Sequence, residues 1–343
     1  MQEDLFPIPP FVVEVLKLAG VDLEEVLRRC EGPSVAQAGN NRIRLRTDRY
    51  FAFWRAVEST GVPPDFGLRL TEAPVLYQMD IASTAALLSE NFGEALSTLA
   101  RYKRLTCPEE VDVEVIGEEV QVGLRWLHGS GIAPPMLVDA SLAWMCRIAS
   151  IGSEGAIRPV RVALTRAESP GKLLSQYFGC DIRFNSAKDV LVFPKGALET
   201  RFASHHPEMR ELMTPGLEAA LRTRAAAESL AQQVRNLLVK GMGGKRLSVD
   251  IVAKELRIGV RTLQRRLEDE GTTYQRLLDE VRQNTARHLL TTTDLDTGEI
   301  AFVLGFEELN SFTRAFQGWE GTSPGRWRTL NTDRQSTSTA LVQ

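Results

Sequence analysis

Apolar positions along the first two hundred residues change period several times. After Pro207 they keep a single period. PPFVVEVLKLAG carries apolar residues at helical spacing and ends at Gly20. Asp22 is expected to cap a second helix, LEEVLRRC, and Asp48 to cap YFAFWRAVEST before Gly61. NFGEALSTLARYKRL opens with Asn91 and has Glu94 three residues on, the spacing of a capping box. The period then drops to two. VDVEV and VQVGLRW alternate apolar and polar residues around IGEE, as a half-buried hairpin does. Further on come a helix over PPMLVDASLAWMCRIASI, a strand over 160–164 and a short helix over 169–178. CDIRF and VLVF, joined through NSAKD, read as a second hairpin. This part is therefore expected to mix helices and strands in an α+β arrangement.

From Pro207 onward the pattern predicts helices alone. PEMRELMTPGLEAALRTRAAAESLAQQVRNLLVKG is strongly helix-forming, with an expected break at Pro215–Gly216. KGMGGKR looks like a phosphate loop but lacks the GxxxxGK[ST] spacing, so it reads as a surface turn. The closing NTDRQSTSTALVQ is polar and small, as a frayed tail is.

Two copies of one unit stand out in this half. In VAKELRIGVRTLQRRLEDEG, Leu263 and Leu267 share a helix face, with Val260 beside them. Arg261 and Arg265 fall opposite that face, Gln264 and Glu268 flank them, and Arg266 lies toward the core edge. Val252, Ala253 and Leu256 form the apolar side of a preceding short helix. RIG joins the two, and Gly259 stands where the second begins. Two short helices, a tight turn and a small alanine at the crossing make a helix-turn-helix pattern. The pattern returns in IAFVLGFEELNSFTRAF. There Ile300, Ala301 and Leu304 replace Val252, Ala253 and Leu256, while Phe312 and Phe316 replace Leu263 and Leu267. The second turn is one residue longer, so Arg314 matches Arg265 at a distance of 49 residues and Asn310 matches Arg261. TYQRLLDEVRQNTARHLL, between the copies, predicts a helix about 25 Å long at ~1.5 Å per residue. Such a strut suits two recognition helices set one duplex turn apart, ~34 Å.

Composition narrows the choices. At 343 residues, with 43% hydrophobic and 25% charged, the chain is expected to form two ordinary globular domains. Its longest apolar stretches carry charges and are too short to span a bilayer, and MQEDLFPIPP is unlike a secretory signal, so the cytoplasm is expected. The four cysteines show no CxxC spacing and read as free thiols. His205 and His206 sit in a linker without clustered carboxylates, and His128 and His288 are isolated. No GxSxG, HExxH, dinucleotide or kinase-like motif is present, so neither an enzyme nor a metal or cofactor is expected. Net charge is −3, and residues 225–330 hold 15 Lys and Arg against 14 Asp and Glu. Electrostatic attraction to nucleic acid is then modest, and tight binding calls for a dimer or an activating ligand. Trp319 and Trp327 flank the TSP turn and read as packing groups. Trp54, Tyr77, Trp126 and Trp144 are large enough to line a cavity or fill a core. Arg147, a charge on an apolar helix, suits either an anionic ligand or an ion pair.

The stretch from LSVDIVAKELRIGVRTLQRRL to the closing IAFVLGFEELNSFTRAFQGWEGTSPGRWR resembles the DNA-binding domain of the AraC/XylS family of bacterial transcription regulators along its full length. FGLRL, NFGEALSTLARYKRL and LLSQYFGCDIRFNSAKDVLVFPKGAL are similar to that family's arabinose-binding-type amino-terminal domain, a label that does not identify the ligand. The resemblance implies a ligand-sensing and dimerisation domain over 1–200, a linker over 201–224, a double helix-turn-helix domain over 225–330 and a flexible tail over 331–343. It implies a regulator of transcription, an activator, that binds double-stranded DNA as a homodimer under a small-molecule effector and engages RNA polymerase. Gating by a protein partner is the alternative. The implied DNA contacts are Arg261, Thr262, Gln264, Arg265 and Arg266 in the first copy and Leu309, Asn310, Thr313 and Arg314 in the second. Arg266, Arg282 and Arg287 read as phosphate contacts or solvated charge, and Leu309 as a thymine-methyl contact or a packing residue. Gly259 stands where a serine or threonine cap is usual. Glu307 and Glu308 suit the helix dipole but repel phosphate, so the second helix is the weaker reader.

Overall fold

The computed structural model describes residues 5–33, 43–71, 79–127, 133–167, 172–227, 229–242, 248–293 and 295–330. The chain divides into two compact units, with the boundary after Ala227.

The first unit is α+β. Strands β1 (Leu5–Pro7) and β2 (Arg44–Arg46) pair antiparallel, Phe6 against Leu45. Helix α1 (Pro10–Leu18) starts on Pro10, whose missing N–H costs nothing in a first turn. Helix α2 (Leu23–Arg29) is capped by Asp22, which accepts the Glu25 N–H at 3.2 Å. Helix α3 (Thr47–Glu58) begins one residue before Asp48, so the expected cap lies inside the first turn. The reason is that β2 runs straight into the helix, leaving extended Arg46 in the cap position. Helices α4 (Phe66–Arg69), α5 (Ile81–Leu87) and α6 (Phe92–Tyr102) follow. Asn91 accepts the Glu94 N–H at 2.9 Å, and the Glu94 carboxylate reaches back to the Glu90 N–H, one residue before the box position.

The expected hairpin forms from β3 (Glu109–Ile116) and β4 (Glu119–Trp126), with Val113 opposite Val122. Helix α7 (Pro135–Gly152) packs against α4, and Gly67 permits the approach: a Cβ there would lie 2.5 Å from the Met136 carbonyl oxygen. Three short strands, β5 (Arg161–Ala163), β6 (Asp181–Arg183) and β7 (Val190–Pro194), complete a sheet ordered β3-β4-β7-β5-β6. The second hairpin expected from CDIRF and VLVF is therefore not one. Strand β5 lies between them, parallel to β6 and antiparallel to β7, with α8 (Leu173–Phe178) in the β5–β6 crossover. Thr165 secures this arrangement by donating its backbone N–H to the Asp189 carboxylate at 2.8 Å.

Helix α9 (Pro207–Ala227) closes the first unit and continues through Pro215, where a break was expected. Packing on both sides outweighs the lost N–H. Leu217 is buried against Ala82, Ala85 and Tyr102, Arg101 forms an ion pair with Glu218, and Arg210 pairs with Glu94. Much of the stretch expected to serve as a linker is thus a helix docked on α5 and α6.

The second unit is helical. It comprises α10 (Leu230–Gly241), α11 (Val249–Glu255), α12 (Val260–Asp269), α13 (Tyr274–Thr292), α14 (Thr297–Val303), α15 (Leu309–Glu320) and a last short helix over 324–330. Helix α13 serves two cores. Its Leu277 and Val281 join Val252, Ala253, Leu263 and Leu267, while its Ala286 and Leu290 join Ile300, Ala301, Leu304, Phe312 and Phe316. Trp319 and Trp327 pack on the second core, both near the Phe316 ring. KGMGGKR and the tail over 331–343 fall largely or wholly outside the described residues.

Candidate nucleic-acid interface

Each helix-turn-helix is closed by the same backbone device. In the first copy the Arg257 and Ile258 N–H groups donate to the Lys254 and Ala253 carbonyls, both at 3.0 Å. In the second, Gly305 and Phe306 donate to Phe302 and Ala301 at 2.9 and 3.0 Å. The hinge residue is left-handed in both, with φ of 55° at Arg257 and 72° at Gly305. Both turns bend at this shared hinge, and the second runs one residue longer before its recognition helix begins.

On α12, Leu263 and Leu267 are fully buried, and 100° per residue turns Arg261 and Arg265 to the far side. Arg261, Gln264, Arg265 and Arg266 are exposed, Thr262 is half-buried, and the three arginines form no ion pair with any described residue. On α15, Phe312 and Phe316 are buried, while Asn310 and Arg314 are exposed. Leu309 is 44% exposed. Thr313 is half-buried and returns its hydroxyl to the Leu309 carbonyl at 3.0 Å. Neither recognition helix has a side-chain cap. Gly259 offers none, and Glu308 in the equivalent role makes no capping bond. The positive dipole end of α12 is therefore open to an anion, whereas Glu307 and Glu308 already place negative charge at the start of α15.

Two arginines that read as phosphate contacts or solvated charge are structural instead. Arg282 donates Nε to the Leu304 carbonyl and Nη2 to the Gly305 carbonyl, both at 3.0 Å, and lies over the Phe306 ring. It caps the turn of the second copy from α13. Arg287 pairs with Glu320 at 2.7 Å, and Gln283 donates to the same carboxylate. Arg328, which sequence reasoning did not single out, donates to the Leu290 and Leu295 carbonyls. Glu270 caps α10 by accepting the Leu230 and Ala231 N–H groups at 2.9 and 2.8 Å.

In the first unit the pocket candidates separate. Trp54 and Trp144 line one cavity with about 550 Å³ of empty space including its mouth. Trp126 packs edge-on to Phe51 away from it, and Arg147 is exposed. Tyr77 lies outside the described residues. Sequence reasoning missed the polar floor of this cavity, built from Asp80, Lys103 and Glu109.

Two helix-turn-helix units on one long shared helix, each turning an arginine face to solvent, define the chain as a DNA-binding transcription regulator. Residues 20–202 match the model of the arabinose-binding domain of AraC transcription regulator, N-term, and residues 252–329 match that of a helix-turn-helix domain. The chain belongs to the AraC family of transcription regulators. It is 30% identical over 299 residues to the ornithine utilization regulator of Pseudomonas aeruginosa, covering 86% of this chain and 87% of that one. It is 31% identical over 121 residues to the transcriptional activator RhaS of Escherichia coli, covering 34% of this chain and 44% of that one. Among solved structures, the regulator CdpR of Pseudomonas aeruginosa matches with a TM-score of 0.45 and 22% identity, over 93% of this chain and 96% of that one. No helix among the described residues is long and apolar enough to cross a membrane.

Proposed function

We propose that the chain activates transcription in the cytoplasm by binding promoter DNA as a homodimer, with a small-molecule effector of the amino-terminal unit setting its affinity. Residues 1–200 sense and dimerise, residues 225–330 read DNA, and RNA polymerase is the downstream partner. The observation that carries the reading is the face of α12, where Arg261 and Arg265 are exposed opposite a fully buried leucine pair, Arg266 is exposed at its edge, and none of the three forms an ion pair with a described residue. An unpaired guanidinium at such a site can donate two bonds to guanine O6 and N7, and Gln264 or Asn310 can pair with adenine. Arg266 meets the backbone phosphates. Thr262 and Thr313 flank the base-reading positions, and Leu309 presents a methyl surface to thymine. Helix α13 has 19 residues and spans about 28 Å, which suits successive major grooves on one face of a duplex. Effector control follows from mass action: a ligand that binds one state of the first unit better shifts the population that can occupy DNA.

Selection from random-sequence DNA with the full chain tests this. Enrichment of two half-sites about 10 base pairs apart is expected, with the more selective half-site lost in Arg265→Ala. Enrichment of no sequence over bulk competitor DNA would overturn it.

A further inference from the structure

The cavity in the first unit has apolar walls and one polar corner. Phe11, Tyr50, Trp54 and Trp144 contribute aromatic surface, and Phe11 and Trp144 stack at 5.4 Å with an interplanar angle of 11°. The polar corner is a chain of fixed bonds. The Trp144 indole N–H donates to the Ser83 hydroxyl at 2.8 Å, and that hydroxyl donates to Asp80 at 2.7 Å. Asp80 caps α5 by accepting the Ala82 and Ser83 N–H groups, both at 3.0 Å. The Lys103 ammonium donates to Asp80 at 3.3 Å and lies 3.5 Å from Glu109 Oε1.

This chain ends in an open valence. Glu109 is 2% exposed, and its Oε2 has no hydrogen-bond partner among the described residues. Two carboxylates face one ammonium. Burial works against the charge on Lys103, but Asp80 and Glu109 more than offset it and hold its pKa above the ordinary lysine range. Asp80 is desolvated too, yet Lys103 and the Ser83 bonds keep it below the usual carboxylate range. Tyr50 and Cys107, the other titratable lining groups, are pushed up by burial and stay neutral. A buried carboxylate oxygen with no donor among the described residues, in a cavity walled by aromatic rings, calls for a donor that brings positive charge. Aromatic faces add to that preference, because a ring quadrupole attracts cations. An anionic ligand would meet a lysine already neutralised by two carboxylates.

We propose that this cavity binds a small organic cation, a primary amine with an apolar body, whose ammonium group donates to Glu109 Oε2 while its body lies among Phe11, Trp54 and Trp144. The assignment rests on reading the first unit as effector-binding and names the effector's chemical class. The site is wired to α9: Tyr102, next to Lys103, donates to Glu218, and Leu217 is buried against Tyr102.

The test is the thermal melt of the full chain with matched compounds that differ only in charge: phenethylamine, 2-phenylethanol and phenylacetate, then pentylamine, 1-pentanol and pentanoate. An amine at saturation is expected to raise Tm by at least about 3 °C, with little change from its neutral and anionic counterparts. Glu109→Gln, nearly isosteric, should weaken amine binding at least about tenfold. Ser141→Phe, which fills the cavity from its rim and leaves the ionic corner intact, should abolish it and guards against misfolding of the first variant. Amine binding unchanged in both variants would overturn the site. A shift from the alcohol or carboxylate alone would overturn the cation assignment and leave effector control standing. Amine binding that both variants lose, without any change in DNA occupancy, would confirm the site and remove effector control instead.

Discussion

The two helix-turn-helix copies share a backbone and differ in almost every residue that decorates it. The first closes its core with Leu263 and Leu267, the second with Phe312 and Phe316. The first recognition helix offers Arg261, Gln264, Arg265 and Arg266 to solvent; the second offers Leu309, Asn310 and Arg314 behind the acidic pair Glu307 and Glu308. The second is also more tightly anchored, through Arg282, Arg287, Arg328 and the two tryptophans. The first copy leaves three arginines of its recognition helix exposed, and the second ties more of its arginines into its own core. Geometry is set by buried positions and the left-handed hinge, so the exposed faces are free to take on different work.

The largest effect should come from the anchored copy's core. Phe316 touches Phe312, Trp319 and Trp327, with centroid distances of 5.7, 6.4 and 5.9 Å. Phe316→Ala should cost about 3–5 kcal/mol, against about 2–5 kcal/mol for Leu267→Ala in the first copy. Urea unfolding of the full chain, followed by tryptophan fluorescence, measures both. A loss below ~1 kcal/mol at Phe316 would contradict its place at the centre of the second core.

Next in size is the pair that separates anchoring arginines from reading ones. Arg282→Ala removes two charge-assisted bonds and a contact with Phe306, and should destabilise the second copy by about 1.5–3 kcal/mol. The salt dependence of DNA binding should stay unchanged, whereas a phosphate contact would lower the slope by about one. Arg265→Ala should do the reverse. Stability is untouched, while specific affinity falls by about 1–3 kcal/mol and one base position loses its preference. Arg314→Ala should cost less, because Glu307 and Glu308 repel phosphate at the start of its helix. Titrations against the selected operator at several salt concentrations read all three. An equal loss on every sequence would move Arg265 from base to phosphate.

These arginines show where sequence reasoning reaches and where it stops. The repeat was legible because burial imposes a period, and Val252, Ala253 and Leu263 recur as Ile300, Ala301 and Phe312. Hairpin β3–β4 was legible for the same reason, with both strands alternating around a short turn. Arg282 and Arg265 look alike in a sequence, because what a charge touches is a tertiary fact. The same limit hid the ionic corner of the cavity, whose Asp80, Lys103 and Glu109 come from a helix cap, a helix end and a strand. It also hid β5 between β6 and β7, since alternation marks a strand without naming its neighbour. Proline misled at α9 because its cost is local and the contacts that override it are not.

The smallest effect lies in the hinge itself. Arg257 and Gly305 hold equivalent left-handed positions, and for a residue with a Cβ that conformation is unfavourable by roughly 1–2 kcal/mol. Glycine escapes this strain but loses more chain entropy on folding, so Arg257→Gly should gain only about 0.5–1 kcal/mol. Gly305→Ala should lose about 1 kcal/mol, because it adds the strain that the first copy already tolerates. Arg257 is exposed and its side chain bonds to no described residue, so its removal isolates the effect of the backbone conformation. Differential scanning calorimetry of both variants beside the parent chain resolves shifts of this size. Opposite signs would show that the hinge conformation is the shared constraint on the two copies. A loss at Arg257→Gly would mean that the arginine side chain, not the backbone turn, holds the first copy together.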